Sequence, residues 1–344
     1  MSATRSENGA DIRALDTAID TAVSISAQGS WSDTRYLMSA TAAEALIAGL
    51  AANRPILVRG EPGVGKSQLA RAAAAVLGRV FMPVVVQPDS EYADLLWRID
   101  HTKRLADAQL SGQGGDAGRD ARRVVDAIGH YIGPGALWWA LSPPSAERQH
   151  LTGSPHSPSG DDAQGAGFGS PNYHPGEGIS AADCLQRGVV LLIDEVDKAD
   201  INLTNGLLEV LGNGGFEVPP LGHTVRRAGR APLVLLTSNN TRELPAALLR
   251  RCVVLNLDLG GDEAERMTAI AETVYPDEVL SPKVRAEALK QILIDREHCT
   301  DLPRTGLAEY LDLLAALKAL DGGEQEALRW LKRLAGFFKK SSLS

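Results

Sequence analysis

Cysteine is scarce in this 344-residue chain. Cys184, Cys252 and Cys299 lie far apart, are odd in number and belong to no CxxC or paired Cys/His spacing. A disulfide framework and a structural zinc are therefore not expected, and a reducing cytoplasm fits best. A basic excess is missing too. With 35 Lys and Arg against 43 Asp and Glu, the formal net charge is −8. Aromatics make up 5% of the chain, and no basic stretch is interleaved with them, so nucleic-acid binding is not expected. No apolar run approaches the roughly 20 residues that span a bilayer, so no membrane span is expected. The first residues, MSATRSENGADIR, contain no apolar core of the kind a signal peptide needs.

What is present is 44% hydrophobic residues, concentrated in short runs. Five of these, at 55–59, 81–86, 189–193, 233–237 and 252–257, are continuous, not alternating. Strands of that kind are buried on both faces, as in a parallel sheet covered by helices. The expected fold is thus α/β, with a five-stranded parallel sheet. Residues 1–32 read as a polar extension with a weak helix around 11–24. Thr41 and Glu44 have capping-box spacing and open a helix to about Ala52. An Ala-rich helix over 66–77 ends at Gly78. After Leu259 the pattern turns helical. Asp262 can cap a helix to about Val274, and Ser281 precedes a proline at a first helical position. Leu307, Leu311, Leu314 and Leu317 form one stripe, and 324–338 is amphipathic. The expected organisation is an α/β core over 33–258 and a small all-helical domain over 259–344.

One stretch breaks the rhythm. Residues 101–180 hold 14 of the 34 glycines and 7 of the 18 prolines, a density that reads as an insertion. Within it, 141–179 is expected to be a mobile loop; an ordered subdomain beneath Trp138 and Trp139 is the alternative. His150, His156 and His174 are then solvated loop residues rather than metal ligands. The tryptophan pair is expected to pack in a core, with a client or interface patch as the alternative.

The chemistry begins at residues 60–67, GEPGVGKS, which satisfy G-x-x-x-x-G-K-[ST] between an expected strand and an expected helix. Gly60, Gly63 and Gly65, with Glu61, Pro62 and Val64 between them, let backbone amides face phosphate oxygens. The start of the following helix, with Gln68 in its first turn, adds positive potential. Lys66 is expected against the β- and γ-phosphates of a nucleoside triphosphate, and the Ser67 hydroxyl on Mg²⁺.

Downstream, RGVVLLIDE over 187–195 places Asp194 and Glu195 at the end of a buried strand, where open α/β sheets bind ligands. Asp194 is the expected Mg²⁺ ligand, and Glu195 the carboxylate left free to polarise water. LVLLTSN over 233–239 ends at Asn239, a candidate to bind that water or the γ-phosphate; a turn asparagine is the alternative. Arg250 and Arg251 stand just before the last strand. Either could reach a neighbouring subunit's γ-phosphate, or both could be surface arginines.

GEPGVGKS, LLIDEVDKA, LLTSNNTRELPAALLRRC and the trailing helices together resemble the MoxR-type branch of AAA+ ATPases over residues 40–320. YIGPGALWWAL and the segment NGGFEVPP also resemble family segments, without catalytic residues. The resemblance implies an αβα P-loop NTPase core with a helical lid, assembled as a hexameric ring. It implies ATP and Mg²⁺ as cofactors, Asn239 as sensor 1 and Arg251 as the arginine finger. Arg250 stands where an acidic residue is usual, which leaves the choice between the two arginines open. Arg304 in LPRTGL is a loose match to sensor 2, with a surface arginine the alternative. A protein client and a von Willebrand factor A-type partner are implied by the family alone.

Overall fold

The computed structural model describes residues 2–111, 128–153, 173–176, 178–260, 262–298, 305–320 and 322–338. Five strands form the central sheet: β1 (Ile56–Arg59), β2 (Val80–Val85), β3 (Val189–Asp194), β4 (Leu233–Ser238) and β5 (Val253–Asn256). Their order is β5-β1-β4-β3-β2. All four pairings are parallel, with Ile56 level with Leu235 and Val253, and Val190 level with Leu233 and Phe81.

The continuous apolar runs follow from the pleat. Leu57, Met82, Val84, Leu191, Ile193, Val234 and Leu236 enter the core on one face. Their alternates Ile56, Val58, Phe81, Val190, Leu192, Leu233 and Leu235 enter the core on the other. A strand sandwiched this way has no solvent face to make polar.

The amino-terminal segment corrects the expected polar extension. The helix Ser2–Thr17 and the strand Ala22–Ile25 are integral, the strand pairing antiparallel with Thr34–Leu37. Leu15 is fully buried, and Ala18, Val23 and Ile25 join the same core as the helix Lys66–Leu77. Asp11 anchors the helix through ion pairs with Arg79 and Arg230. The expected capping box is also corrected. Ser39, not Thr41, caps the helix Ala40–Ala52, its hydroxyl accepting from the amide of Ala42 at 3.3 Å.

Much of the expected loop is ordered as well. Pro143–Gly153 is a helix with Ala146 fully buried, while 154–172 lies outside the described residues. Trp138 and Trp139 are core residues, their indole N–H groups donating to Ser145 Oγ at 2.7 Å and the Tyr173 carbonyl at 2.9 Å. Their polar ends therefore find partners inside that packing. His150 and His174 are half-buried rather than free in a loop. Their rings lie 5.6 Å apart, and both pack on the Trp139 ring. His156 is outside the described residues.

Four helices, Glu263–Val274, Pro282–His298, Leu307–Ala319 and Gly323–Phe338, form the lid around Met267, Val284, Ile292, Leu314 and Leu331. Asp262 caps the first of them, accepting from the Glu265 amide at 2.9 Å. Among the described residues no helix is long and apolar enough to cross a membrane.

Candidate active site

The loop at residues 60–65 joins the carboxyl end of β1 to the helix Lys66–Leu77. Gly63 and Gly65 adopt φ of +80° and +98°, which a side chain would strain. A Cβ at Gly63 would also stand 2.5 Å from that of Ala308, so the loop lies directly against the lid. Lys66 is 7% exposed, and its ammonium donates to the carbonyls of Gly60 at 2.9 Å and Glu61 at 2.8 Å. Burial lowers its pKa, while Asp194, Asp197, Glu195 and Glu61 pull the other way. The ammonium is folded onto its own loop and surrounded by acids.

The Ser67 hydroxyl donates to Asp194 Oδ2 at 2.8 Å. Thr237, at the tip of β4, donates to Asp194 Oδ1 and accepts from the Glu195 amide at 2.9 Å. One threonine thus locks the adjacent strand ends together. Glu195 sits at φ +62°, ψ +45°, a left-handed conformation that costs a non-glycine residue about 1–2 kcal/mol. Its Oε1 accepts from Asn239 Nδ2 at 3.3 Å, and its Oε2 pairs with Lys198 Nζ at 2.6 Å. Strain in an acidic residue at the mouth of a ligand site is a functional signature when the surroundings enforce it.

Asp197, 2% exposed, completes the cluster. Its Oδ2 accepts from the amide of Asn239 at 3.2 Å, and from the amide and hydroxyl of Thr241 at 3.0 and 2.6 Å. Burial opposes its charge, but the bonds from Thr241 and Asn239 hold its pKa below the ordinary carboxylate value.

Lys66, Ser67, Asp194, Glu195 and Asn239 therefore converge. Arg250 and Arg251 do not join them. Both are exposed at the end of the helix Ala246–Arg251, which enters β5 from the end opposite the loop. Arg304 lies outside the described residues. The Gln68 side chain accepts from Arg71 at 3.0 Å. Glu61, Pro62 and Val64 line an open cleft of about 290 Å³, bordered on its other sides by Leu257–Leu259 and by Glu263, Arg296 and Leu307 of the lid.

Four residues of this site were missed by sequence reasoning: Thr237, Asp197, Lys198 and Arg296. The first three lay within quoted motifs, and a hydroxyl at the tip of an apolar run was the signal for Thr237. Arg296 had none. From the lid it forks onto both oxygens of Glu263 at 2.8 and 3.0 Å and reaches Glu61 at 3.1 Å.

Residues 55–132 match the family model for the AAA domain of the dynein-related subfamily. No curated protein matches the chain in sequence. Two solved structures of NtrX from Brucella abortus match it. The one in complex with ATP has a TM-score of 0.42 and 14% identity, over 82% of this chain and 51% of that one. The other has a TM-score of 0.38 and 15% identity, over 79% and 48%. The chain spans about half the length of these structures. The five-stranded parallel sheet, the phosphate loop after β1 and the helical lid form an AAA+ P-loop fold.

Proposed function

We propose that this chain binds ATP with Mg²⁺ and hydrolyses it, acting in the cytoplasm as a MoxR-type AAA+ ATPase. In this reading it works as a hexameric ring and remodels a protein client with a von Willebrand factor A-type partner. The observation that carries the reading is the Ser67 hydroxyl, held 2.8 Å from Asp194 beside a phosphate loop, with Glu195 kept separate from that pair.

The donor set fits Mg²⁺, because a hydroxyl and a carboxylate oxygen are hard ligands and further positions stay open to phosphate and water. When bound, the ion supplies charge neutralisation on the phosphate oxygens. The chain's own residues do the rest. Amides of residues 63–67 hold the phosphates, and Lys66 exchanges two carbonyls for phosphate oxygen. Glu195 orients water and accepts its proton, while the Asn239 amide fixes the direction of that carboxylate.

Sheet direction supports a shared site. Val253 is level with Ile56, so the arginines precede the strand whose far end meets the loop. At about 3.3 Å per residue the separation is roughly 15 Å, beyond the reach of an arginine side chain. Arg251 or Arg250 would then serve the site of a neighbouring subunit.

A second reading is an ATP-binding switch or scaffold with slow turnover, favoured by the pairing of Glu195 with Lys198. Phosphate release separates the two. In the hydrolase reading Glu195→Gln binds ATP yet releases phosphate about 10²–10⁴-fold more slowly than wild type. Equal rates for the two proteins, with ATP bound, would remove Glu195 from the chemistry.

A further inference from the structure

The ends of β3 and β4 are joined by a second bridge beyond the one made by Thr237. Asp197 lies in the short 3-10 turn Val196–Lys198 that follows β3, and it faces the turn that follows β4. One oxygen gathers three donors from residues 239 and 241. Between them Asn240 is forced to φ +58°, and Arg59 from the end of β1 donates to its Oδ1 at 2.7 Å. The turn is thus held at both ends.

The other oxygen, Oδ1, is buried and has no hydrogen-bond partner among the described residues. A buried oxygen left without a bond is unfavourable, so stability alone is a poor reason for a carboxylate here. The consequence of the bridge is positional. The amide nitrogen that Asp197 binds belongs to Asn239, whose side chain reaches Glu195. The route from Asp197 to Glu195 passes through one residue.

We propose that Asp197 is a positioning residue for hydrolysis: by fixing the Asn239–Thr241 turn it aims the Asn239 amide at the Glu195 carboxylate. It does not touch the nucleotide. The inference rests on the hydrolase reading above.

The test uses the full chain and measures ATP turnover and ATP affinity for Asp197→Asn, Thr241→Val and Asn239→Ala, singly and combined. Asp197→Asn should lower kcat about 10- to 100-fold, as outer-shell changes do, with affinity within about twofold of wild type. Thr241→Val removes one of the three donors at an exposed position and should lower kcat by a smaller factor in the same direction. The decisive readout is coupling. In the Asn239→Ala background Asp197→Asn should add little, because both changes remove one interaction. Multiplicative losses, an unchanged kcat, or equal losses in affinity and kcat would overturn the proposal. Should Asp197→Asn unfold the chain, Thr241→Val with Asn239→Ala gives the same coupling test. Glu195→Gln serves as the control: if it turns over at the wild-type rate, Glu195 itself has no role in hydrolysis, and if the wild-type chain releases no phosphate, the hydrolase reading fails rather than the positioning role alone.

Discussion

Replacing Asp11 by alanine tests whether the first helix is part of the α/β core or an appendage. The Asp11 side chain is 8% exposed, and its Oδ2 accepts from Arg79 at 2.7 Å and from Arg230 at 2.6 Å. Arg79 is 1% exposed and Arg230 17%. The two guanidinium groups respond differently to loss of the carboxylate. Arg230 can turn towards water, whereas Arg79 stays buried and keeps its bond to the Ala231 carbonyl at 3.1 Å. Breaking a buried pair from one side costs about 3–5 kcal/mol. With one arginine able to escape and the other still bonded, the low end applies, about 3 kcal/mol. For a domain of this size that lowers Tm by roughly 6–12 °C. Asp11→Asn retains an acceptor oxygen and should fall between wild type and alanine. Thermal melts followed by circular dichroism without nucleotide would show the series. An alanine variant melting within about 2 °C of wild type would refute the view that this ion-pair cluster holds the helix.

Two further outcomes are expected. If the arginines act in trans, mixing Arg251→Ala subunits with Lys66→Ala subunits should restore part of the turnover that each lacks alone; absence of rescue in rings shown to mix would count against a shared site. The second concerns pH. Burial lowers the pKa of His150 and His174, and the His174 ring adds to the effect on His150, with Glu147 opposing in both cases. Unfolded histidines take up a proton near pH 6.5, while these resist it when folded. Stability is therefore full above about pH 6.5 and is lost as pH falls through the lower folded values. Tm measured between about pH 7 and 5 should drop less in a His150→Gln, His174→Gln double variant; parallel curves would exclude these rings as the cause.

What could be read before the structure was what is encoded locally. A strand buried on both faces announces itself as an unbroken apolar run, so all five strands were legible to within a residue or two of their ends. The phosphate loop was legible because close approach to an anion demands glycine at fixed positions. The lid helices were legible through Asp262, Ser281 and the leucine stripe, each a signal within a few residues of the element it marks. The first helix was legible only as a weak helix around 11–24, and its place in the core was not legible at all. Its apolar content is sparse, and its anchor is a carboxylate whose partners lie 68 and 219 residues away. The described part of the insertion was hidden for the opposite reason. Glycine and proline suggested a loop, but a serine hydroxyl and a distant carbonyl satisfy the two tryptophans, and that packing overrides the local punctuation.

The same distinction explains the site. Asp194, Glu195 and Asn239 could be named because each ends an apolar run, and sheet topology guarantees that the ends of adjacent parallel strands meet. Their orientation could not be read, because it is set by Thr237 and Asp197, which bond across the gap between β3 and β4. Arg296 is the extreme case, a lid residue whose contact with Glu61 spans 235 positions. Loop and lid touch at that ion pair and again where Gly63 meets Ala308, so a ligand that moves Glu61 or Lys66 must also disturb the lid. In a fold of this kind the strands supply the reacting groups at predictable places. The bonds between strand ends, and between loop and lid, decide whether those groups act together.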